Sequence, residues 1–140
     1  MSFDVIGELN WLAVIVATLA YFLLGAVWYA RAVFGKAWQR SSGISVPEGQ
    51  GPGAAFYIIP LITCFLMTLA TAMIAATTGS STVGDAIVLG LVVGVGYAAS
   101  LSLLGAAFGN YPEPRTYFAI TAGYHLVGLV GVALIVTLWD

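Results

Sequence analysis

Charged residues are what this sequence has least of, with 4 Lys and Arg and 6 Asp and Glu among 140 residues, or 7% of the chain. A soluble domain carries about 25% charged residues, which cover its surface against water. Hydrophobic residues make up 61% of this chain, so we expect a lipid bilayer to surround most of the exterior. There is also no basic tract that could bind phosphates, which argues against a nucleic-acid partner.

Cysteine and histidine are equally scarce, with Cys64 and His125 the single examples of each. One cysteine cannot form an internal disulfide or a cysteine-based metal site. We interpret Cys64 as an inert small residue of the core, and we predict no metal and no cofactor.

The sequence is rich instead in long apolar runs, over residues 10–30, 54–78, 84–108 and 116–139. About 20 apolar residues cross a hydrocarbon core about 30 Å thick. The runs lack the alternation typical of barrel strands, and lipid accepts only helices or closed barrels because backbone amides find no water there. The sequence therefore predicts an all-α integral membrane protein, a single domain over residues 1–140 with four transmembrane helices in a small bundle.

The connector after the first run has an amphipathic first half. At 100° per residue, Phe34 and Trp38 lie on one side and Lys36 and Arg40 on the other. This pattern is typical of a short interfacial amphipathic segment. A frayed extension of the first helix that carries anchoring aromatic residues explains it equally well.

The positions of the basic residues predict the orientation of the chain. Arg31, Lys36, Arg40 and Arg115 all lie in the first or third connector, which by the positive-inside rule is the cytoplasmic side. We therefore expect a multi-pass protein of the plasma (inner) membrane with both termini non-cytoplasmic. Aromatic and basic residues near the ends of the runs are predicted to anchor the protein at the two interfaces: Trp11, Trp28, Tyr29, Phe34, Trp38, Arg115 and Trp139.

Small residues fill the third run and predict close helix packing. Two small-xxx-small pairs occur there, and Gly128 adds a further small residue in the fourth run; the predicted packing positions are Gly90, Gly94, Gly105, Gly109 and Gly128. Lipid provides no hydrophobic driving force for helix association, so helices associate through close van der Waals contacts. Small residues permit those contacts. We expect a homo-oligomer, with another membrane protein as the alternative partner of this surface.

His125 is the strongest candidate for a functional residue. Counted from Thr116 at 1.5 Å per residue, it lies roughly 13 Å deep, close to the midplane. Small residues surround it on its helical face, which suggests that the ring points towards another helix. Its polar partners are predicted from the third run (Tyr97, Ser100, Ser102) or the first (Thr18, Tyr21).

Two interpretations of His125 compete. Ionisable residues inside membranes often mark ligand or proton pathways, and the candidate ligand-binding residues are then His125, Thr121, Tyr124, Tyr97 and Tyr21. The interpretation that we favour at this point is an interhelical hydrogen bond that holds the packing. Metal or haem ligation is a third and weaker alternative, because no second histidine is present.

Two segments resemble a known family. "NWLAVIVATLAYFLLGAVWYARAVFGKAW" (residues 10–38) has an Asn-Trp start, a Gly-x-x-Trp-Tyr end of the span and Phe-Gly-Lys-x-Trp, and "PRTYFAITAGYHLVGL" (residues 114–129) has the Arg and the Gly-Tyr-His. Both are similar to the small bacterial membrane proteins grouped as domain of unknown function 1761. The resemblance implies a four-span inner-membrane protein and supplies no activity.

The sequence contains no catalytic constellation, since its carboxylates lie at the edges of the runs and His125 has no acid within its own run. We therefore predict a protein that is not an enzyme. It binds or passes a small molecule or lipid at its helix interfaces, or alternatively serves as a structural or accessory subunit with no ligand of its own.

The predicted orientation can be tested by labelling single cysteines introduced into a Cys64→Ala background. A membrane-impermeant maleimide applied to intact cells should label Asp85→Cys and leave Arg40→Cys unlabelled until the membrane is permeabilised, because the two connectors lie on opposite sides. Labelling of both positions from the same side would contradict the four-span topology.

Overall fold

The computed structural model describes residues 2–139, and the elements that it contains there are helical. The helices are α1 (Trp11–Trp28), α2 (Lys36–Ser42), α3 (Ala55–Thr78), α4 (Val83–Phe108) and α5 (Pro114–Leu138). Four of them, α1, α3, α4 and α5, are long and apolar enough to cross a membrane. This confirms the predicted all-α class with four spans, and the protein is a multi-pass membrane protein.

Three ends of the spans are capped by local side chains or by glycine. The Asn10 side chain accepts a hydrogen bond from the Ala13 amide at the start of α1, and Thr82 and Asp85 form a reciprocal capping box at the start of α4. Helix α3 ends at Gly79, whose φ of +66° favours glycine. These caps satisfy amides and carbonyls that no helix can pair internally, and they mark the starts of α1 and α4 and the end of α3.

Helix α5 is the centre of the bundle and contacts α1, α3 and α4. Two of the predicted packing glycines bring α4 against it. A Cβ atom at Gly90 would lie 2.6 Å from the Val130 Cα, and one at Gly94 would lie 3.0 Å from the Leu126 side chain. Both glycines therefore serve packing within the chain and leave the opposite face of α4 for other contacts.

The remaining predicted glycines have different surroundings. A Cβ atom at Gly128 would overlap the ring of Tyr21, so this glycine lets α1 approach α5 closely. Gly105 has nothing within 4 Å of the position that a Cβ would take. Gly109 follows the end of α4 and lies against the Tyr111 ring. Only Gly128 among these three lies in a contact between two spans.

Helix α4 contains a π-helical stretch at Gly94–Ala99, which the sequence analysis did not predict. The Ser100 hydroxyl donates to the Val95 carbonyl at 2.9 Å, five residues back. A π-turn inserts an extra residue into the helix, so the second half of α4 is rotated relative to the first. Gly96 and Tyr97, within this stretch, lie on an exposed face, with Tyr97 67% exposed.

A short helix follows α1, as predicted. The chain makes one π-turn at Arg31–Gly35 before α2. The Phe34 ring packs on Trp28 with centroids 4.9 Å apart, and the Trp38 ring packs on Tyr29 at 5.6 Å. Because α2 is a separate element whose aromatic residues turn back onto α1, the structure favours the interfacial segment over a frayed extension.

The contact between Tyr21 and Gly128 gives a direct test of the packing. Gly128→Ala places a methyl group in the volume of the Tyr21 ring, and overpacking of this kind costs about 1–3 kcal/mol. We expect the unfolding midpoint in detergent, followed by circular dichroism during heating, to fall accordingly.

The matched control is Gly131→Ala, one turn further along α5, where a Cβ meets nothing within 4 Å. Alanine is the better helix former by about 1 kcal/mol, so this variant should be at least as stable as the parent. Equal midpoints for the two variants would show that α1 and α5 are not in contact at Gly128.

Candidate functional site

The candidate site is a cluster of side chains from α1, α3 and α5, formed by Tyr21, Cys64, Met67, Tyr124 and His125. We refer to it as the Tyr–His cluster. Adjacent residues on a helix diverge by about 100°, so Tyr124 and His125 reach Tyr21 from different directions, with ring centroids 5.2 and 6.1 Å from that of Tyr21. Gly128, at the next turn of α5, leaves the space that the Tyr21 ring occupies.

Tyr124 of α5 contacts both α1 and α3. Its hydroxyl donates to the backbone carbonyl of Tyr21 on α1 at 3.1 Å, and it lies 3.4 Å from the Cys64 sulfur on α3. A Cβ at Gly25 would meet the same hydroxyl at 2.9 Å, so a glycine is needed for α1 to pass. Tyr124 is only 6% exposed and is therefore a structural member of the cluster.

The Tyr21 hydroxyl contacts two groups at once, the Nδ1 atom of His125 and the sulfur of Met67, the latter at 3.4 Å. A phenol has one proton to donate, and a thioether can only accept. Both contacts are hydrogen bonds only if Tyr21 donates to Met67 and His125 donates from Nδ1 to the Tyr21 oxygen. In a neutral ring, Nε2 then carries a lone pair and no proton.

The other ring nitrogen of His125 has no such partner. Within residues 2–139, Nε2 forms no hydrogen bond, and the residue as a whole is half-buried. An imidazole with one nitrogen held and the other unpaired is oriented by its first bond. In this proton arrangement His125 is an oriented acceptor, whose Nε2 can receive a hydrogen bond or a proton from a group beside the bundle.

The structure brings some of the predicted ligand-binding residues together and separates others. Tyr21, Tyr124 and His125 share the cluster. Thr121 lies one turn from His125, and its hydroxyl is buried without a hydrogen-bond partner in the described part of the chain. Tyr97 lies on the exposed face of α4. The sequence left α1 and α4 as possible sources of the polar partner of His125, and in the structure the partner is Tyr21 of α1.

Sequence reasoning missed the two residues of α3, Cys64 as a hydrogen-bond neighbour and Met67 as an acceptor. Nothing in the sequence marks which face of α3 turns inward. A signal does exist in the buried positions Cys64, Thr68, Thr71 and Ala75, whose spacing of three and four residues is that of one helix face. The same spacing occurs on other faces of this apolar helix, so the pattern alone is not decisive.

The predicted membrane anchors divide between the two ends of the bundle. Trp11 and Trp139 are partly exposed near the end where the Asn10 amide donates to the Trp139 carbonyl. At the other end, Arg115 is exposed. Trp28 is built into the bundle, where its indole N–H donates to the Ile120 carbonyl at 3.1 Å.

The fold and this cluster define a class, that of small multi-pass membrane proteins built as a helical bundle with a polar centre. No group of three His, Cys, Asp or Glu side chains within residues 2–139 is placed to hold a metal ion. The chain belongs to the family described as Protein of unknown function (DUF1761), whose model matches residues 12–137. No curated protein and no solved structure matches it significantly.

The proton arrangement of the cluster is testable, because the chain has a single histidine. In protein labelled with ¹⁵N-histidine and placed in lipid, we expect Nδ1 to show the resonance of a protonated ring nitrogen and Nε2 that of an unprotonated one. Tyr21→Phe removes the acceptor of the Nδ1 proton and should change both resonances.

Tyr97→Phe serves as the matched control, since it removes a tyrosine hydroxyl of the exposed face of α4, and it should leave the histidine spectrum unchanged. A protonated Nε2 in the parent protein, or a spectrum indifferent to Tyr21→Phe, would rule out the arrangement.

Proposed function

We propose that this protein binds or passes a small molecule or lipid at its helix interfaces, that His125 makes the polar contact, and that it performs no catalysis. The proposal rests on the difference in hydrogen bonding between the two ring nitrogens of His125. Nδ1 is held by Tyr21, and Nε2 has no partner among the described residues. An unpaired ring nitrogen near the midplane is costly in hydrocarbon. With the proton on Nδ1, a ligand with an O–H or N–H group removes that cost.

A homo-oligomer is the assembly that fits this function. Tyr97 lies 11 residues, or roughly 16 Å, from the end of α4 at Phe108, near the middle of a core about 30 Å thick. Its hydroxyl is exposed there, beside Gly96 and Ser100. A second copy that covers this face would pair the Tyr97 hydroxyl and enclose a pathway that one thin bundle lacks.

The basic residues support a location in the inner membrane with both termini non-cytoplasmic. Arg31 pairs with Glu48 at 3.2 Å and Arg40 with Glu113 at 2.8 Å, in the connectors at one end of the bundle. With Lys36 and Arg115 they make up all the basic side chains of the chain. By the positive-inside rule that end faces the cytoplasm.

The alternative function is that of a structural or accessory subunit. It is favoured by the tight packing of the Tyr–His cluster, in which Tyr21 is 2% and Cys64 3% exposed. On this account His125 serves the packing, and the exposed face of α4 receives a different membrane protein.

His125→Asn separates the two accounts. The Asn amide can keep the donor that Tyr21 accepts from Nδ1, but it has nothing in place of Nε2. We expect native mass spectrometry of the parent protein, released from nanodiscs of its host lipids, to show oligomers with bound small molecules or lipids. His125→Asn should lose these adducts, while its unfolding midpoint changes little.

His125→Leu is the companion variant, which should lose both the adducts and part of the stability, because the hydrogen bond between Tyr21 and the imidazole is then lost. Identical adducts on the parent and His125→Asn, or no adducts on either, would overturn the binding function. A strictly monomeric mass would overturn the oligomer.

A further inference from the structure

The basic side chains at one end of the bundle are of two kinds, and the first kind is paired within the chain. Arg31 forms an ion pair with Glu48 at 3.2 Å and also donates to the Val46 carbonyl at 2.8 Å. Arg40 forms an ion pair with Glu113 at 2.8 Å. The positive charges of both arginines are therefore balanced by carboxylates of the same end.

The second kind is unpaired. Lys36 and Arg115 are exposed, and neither forms an ion pair within residues 2–139. The two connectors at this end contain Glu48 and Glu113 as their only acidic residues, and both of these carboxylates are already paired. The excess positive charge of this end is therefore that of Lys36 and Arg115.

The two unpaired charges lie on elements that are joined to each other. The Glu113 amide donates to the Ser41 carbonyl at 3.2 Å, and with the Arg40 ion pair this bond fixes the end of α2 to the start of α5. Lys36 lies four residues before Arg40, on the same face of α2. Arg115 lies in the first turn of α5, two residues after Glu113. We refer to this region as the α2–α5 junction.

Apolar side chains are exposed on the same segment as Lys36. Val33 is 49% and Phe34 38% exposed, within one turn of Lys36. Arg115 lies at the start of a helix long enough to span a membrane, so its side chain lies near the depth of the lipid headgroups. Unpaired cations beside exposed apolar residues are typical of a segment that lies in the headgroup region. A partner that fits both features carries a negative charge on a hydrophobic body.

We propose that the α2–α5 junction binds anionic phospholipids, with Lys36 and Arg115 as the contacts of the phosphate oxygens. The planar guanidinium of Arg115 can donate two parallel hydrogen bonds to a phosphate, and the ammonium of Lys36 acts as a point charge. The acyl chains lie against the apolar residues, which a soluble anion would leave exposed. Arg31 and Arg40 take no part, because their charges are already balanced. The proposal does not depend on a ligand at the Tyr–His cluster.

The tryptophans of this end provide a probe for the bound lipid. In a Trp11→Phe, Trp139→Phe background, Trp28 and Trp38 are the remaining tryptophans, and both lie at the end that carries the junction. The protein is reconstituted in phosphatidylcholine bilayers that contain increasing fractions of a phospholipid with brominated chains, and quenching of the fluorescence gives a relative binding constant. We expect brominated phosphatidylglycerol to bind at least tenfold better than brominated phosphatidylcholine. Molar salt should reduce this preference, because it screens exposed charges.

Three single-charge variants distinguish a site from the net charge of this end. Arg115→Gln and Lys36→Gln should each lower the preference for phosphatidylglycerol about fivefold, which is the contribution of one basic residue near an anionic surface. Arg31→Gln is the matched control. It removes the same charge from the same end, but from a side chain that Glu48 already balances, so the preference should be unchanged. The unfolding midpoints of Arg115→Gln and Lys36→Gln in detergent should equal that of the parent, since both side chains are exposed and without an ion pair.

Glycerophosphoglycerol, the headgroup of phosphatidylglycerol without its chains, distinguishes a lipid from a soluble phosphate. At millimolar concentration it should leave the preference unchanged. Displacement of the lipid by this compound, equal binding of the two brominated lipids, or equal losses in Arg31→Gln and Arg115→Gln would overturn the proposal. His125→Asn should keep the full preference, so failure of the lipid site and failure of the proposed function are separate results.

Discussion

The ring of Tyr21 lies where a side chain at position 128 would be, and the arrangement of the whole bundle depends on this contact. Lipid tails are as apolar as leucine, so they give helices no reason to associate. Contact between helices must come from close fit and from polar bonds. With Gly128 in place, α1 approaches the central helix α5 closely enough for the Tyr21 hydroxyl to lie between α5 and α3, beside both His125 and Met67.

The polar groups within the bundle fall into two kinds as a consequence. Those of Tyr124 and Tyr21 are satisfied inside the chain and join three spans, which makes them part of the fold. The Nε2 atom of His125 and the hydroxyls of Thr68, Thr121 and Thr137 have no hydrogen-bond partners in the described structure. A small bundle with few polar groups can keep unpaired ones only at a cost. For Nε2 of His125, that cost links the packing of this protein to its proposed ligand.

Composition and run length were enough to predict the four spans, because the thickness of a bilayer fixes how many apolar residues a helix needs. The same reasoning placed His125 near the midplane and named Tyr21 among its partners. It could not choose between α1 and α4, since helix rotation decides which faces meet and apolar helices carry little periodic signal. The π-turn in α4 depends on backbone hydrogen bonds that residue type does not specify.

The central claim is that Tyr21 and His125 are bonded across the α1–α5 interface. Its most direct test is a rotational-echo double-resonance measurement in lipid between ¹³Cζ of tyrosine and ¹⁵Nδ1 of the single histidine, with Tyr21 assigned by its loss in Tyr21→Phe. A hydrogen bond between the Tyr21 oxygen and Nδ1 places the two labelled nuclei about 4 Å apart, and the account predicts strong dephasing at that distance. Dephasing that corresponds to more than about 6 Å, well beyond hydrogen-bond reach, would contradict it.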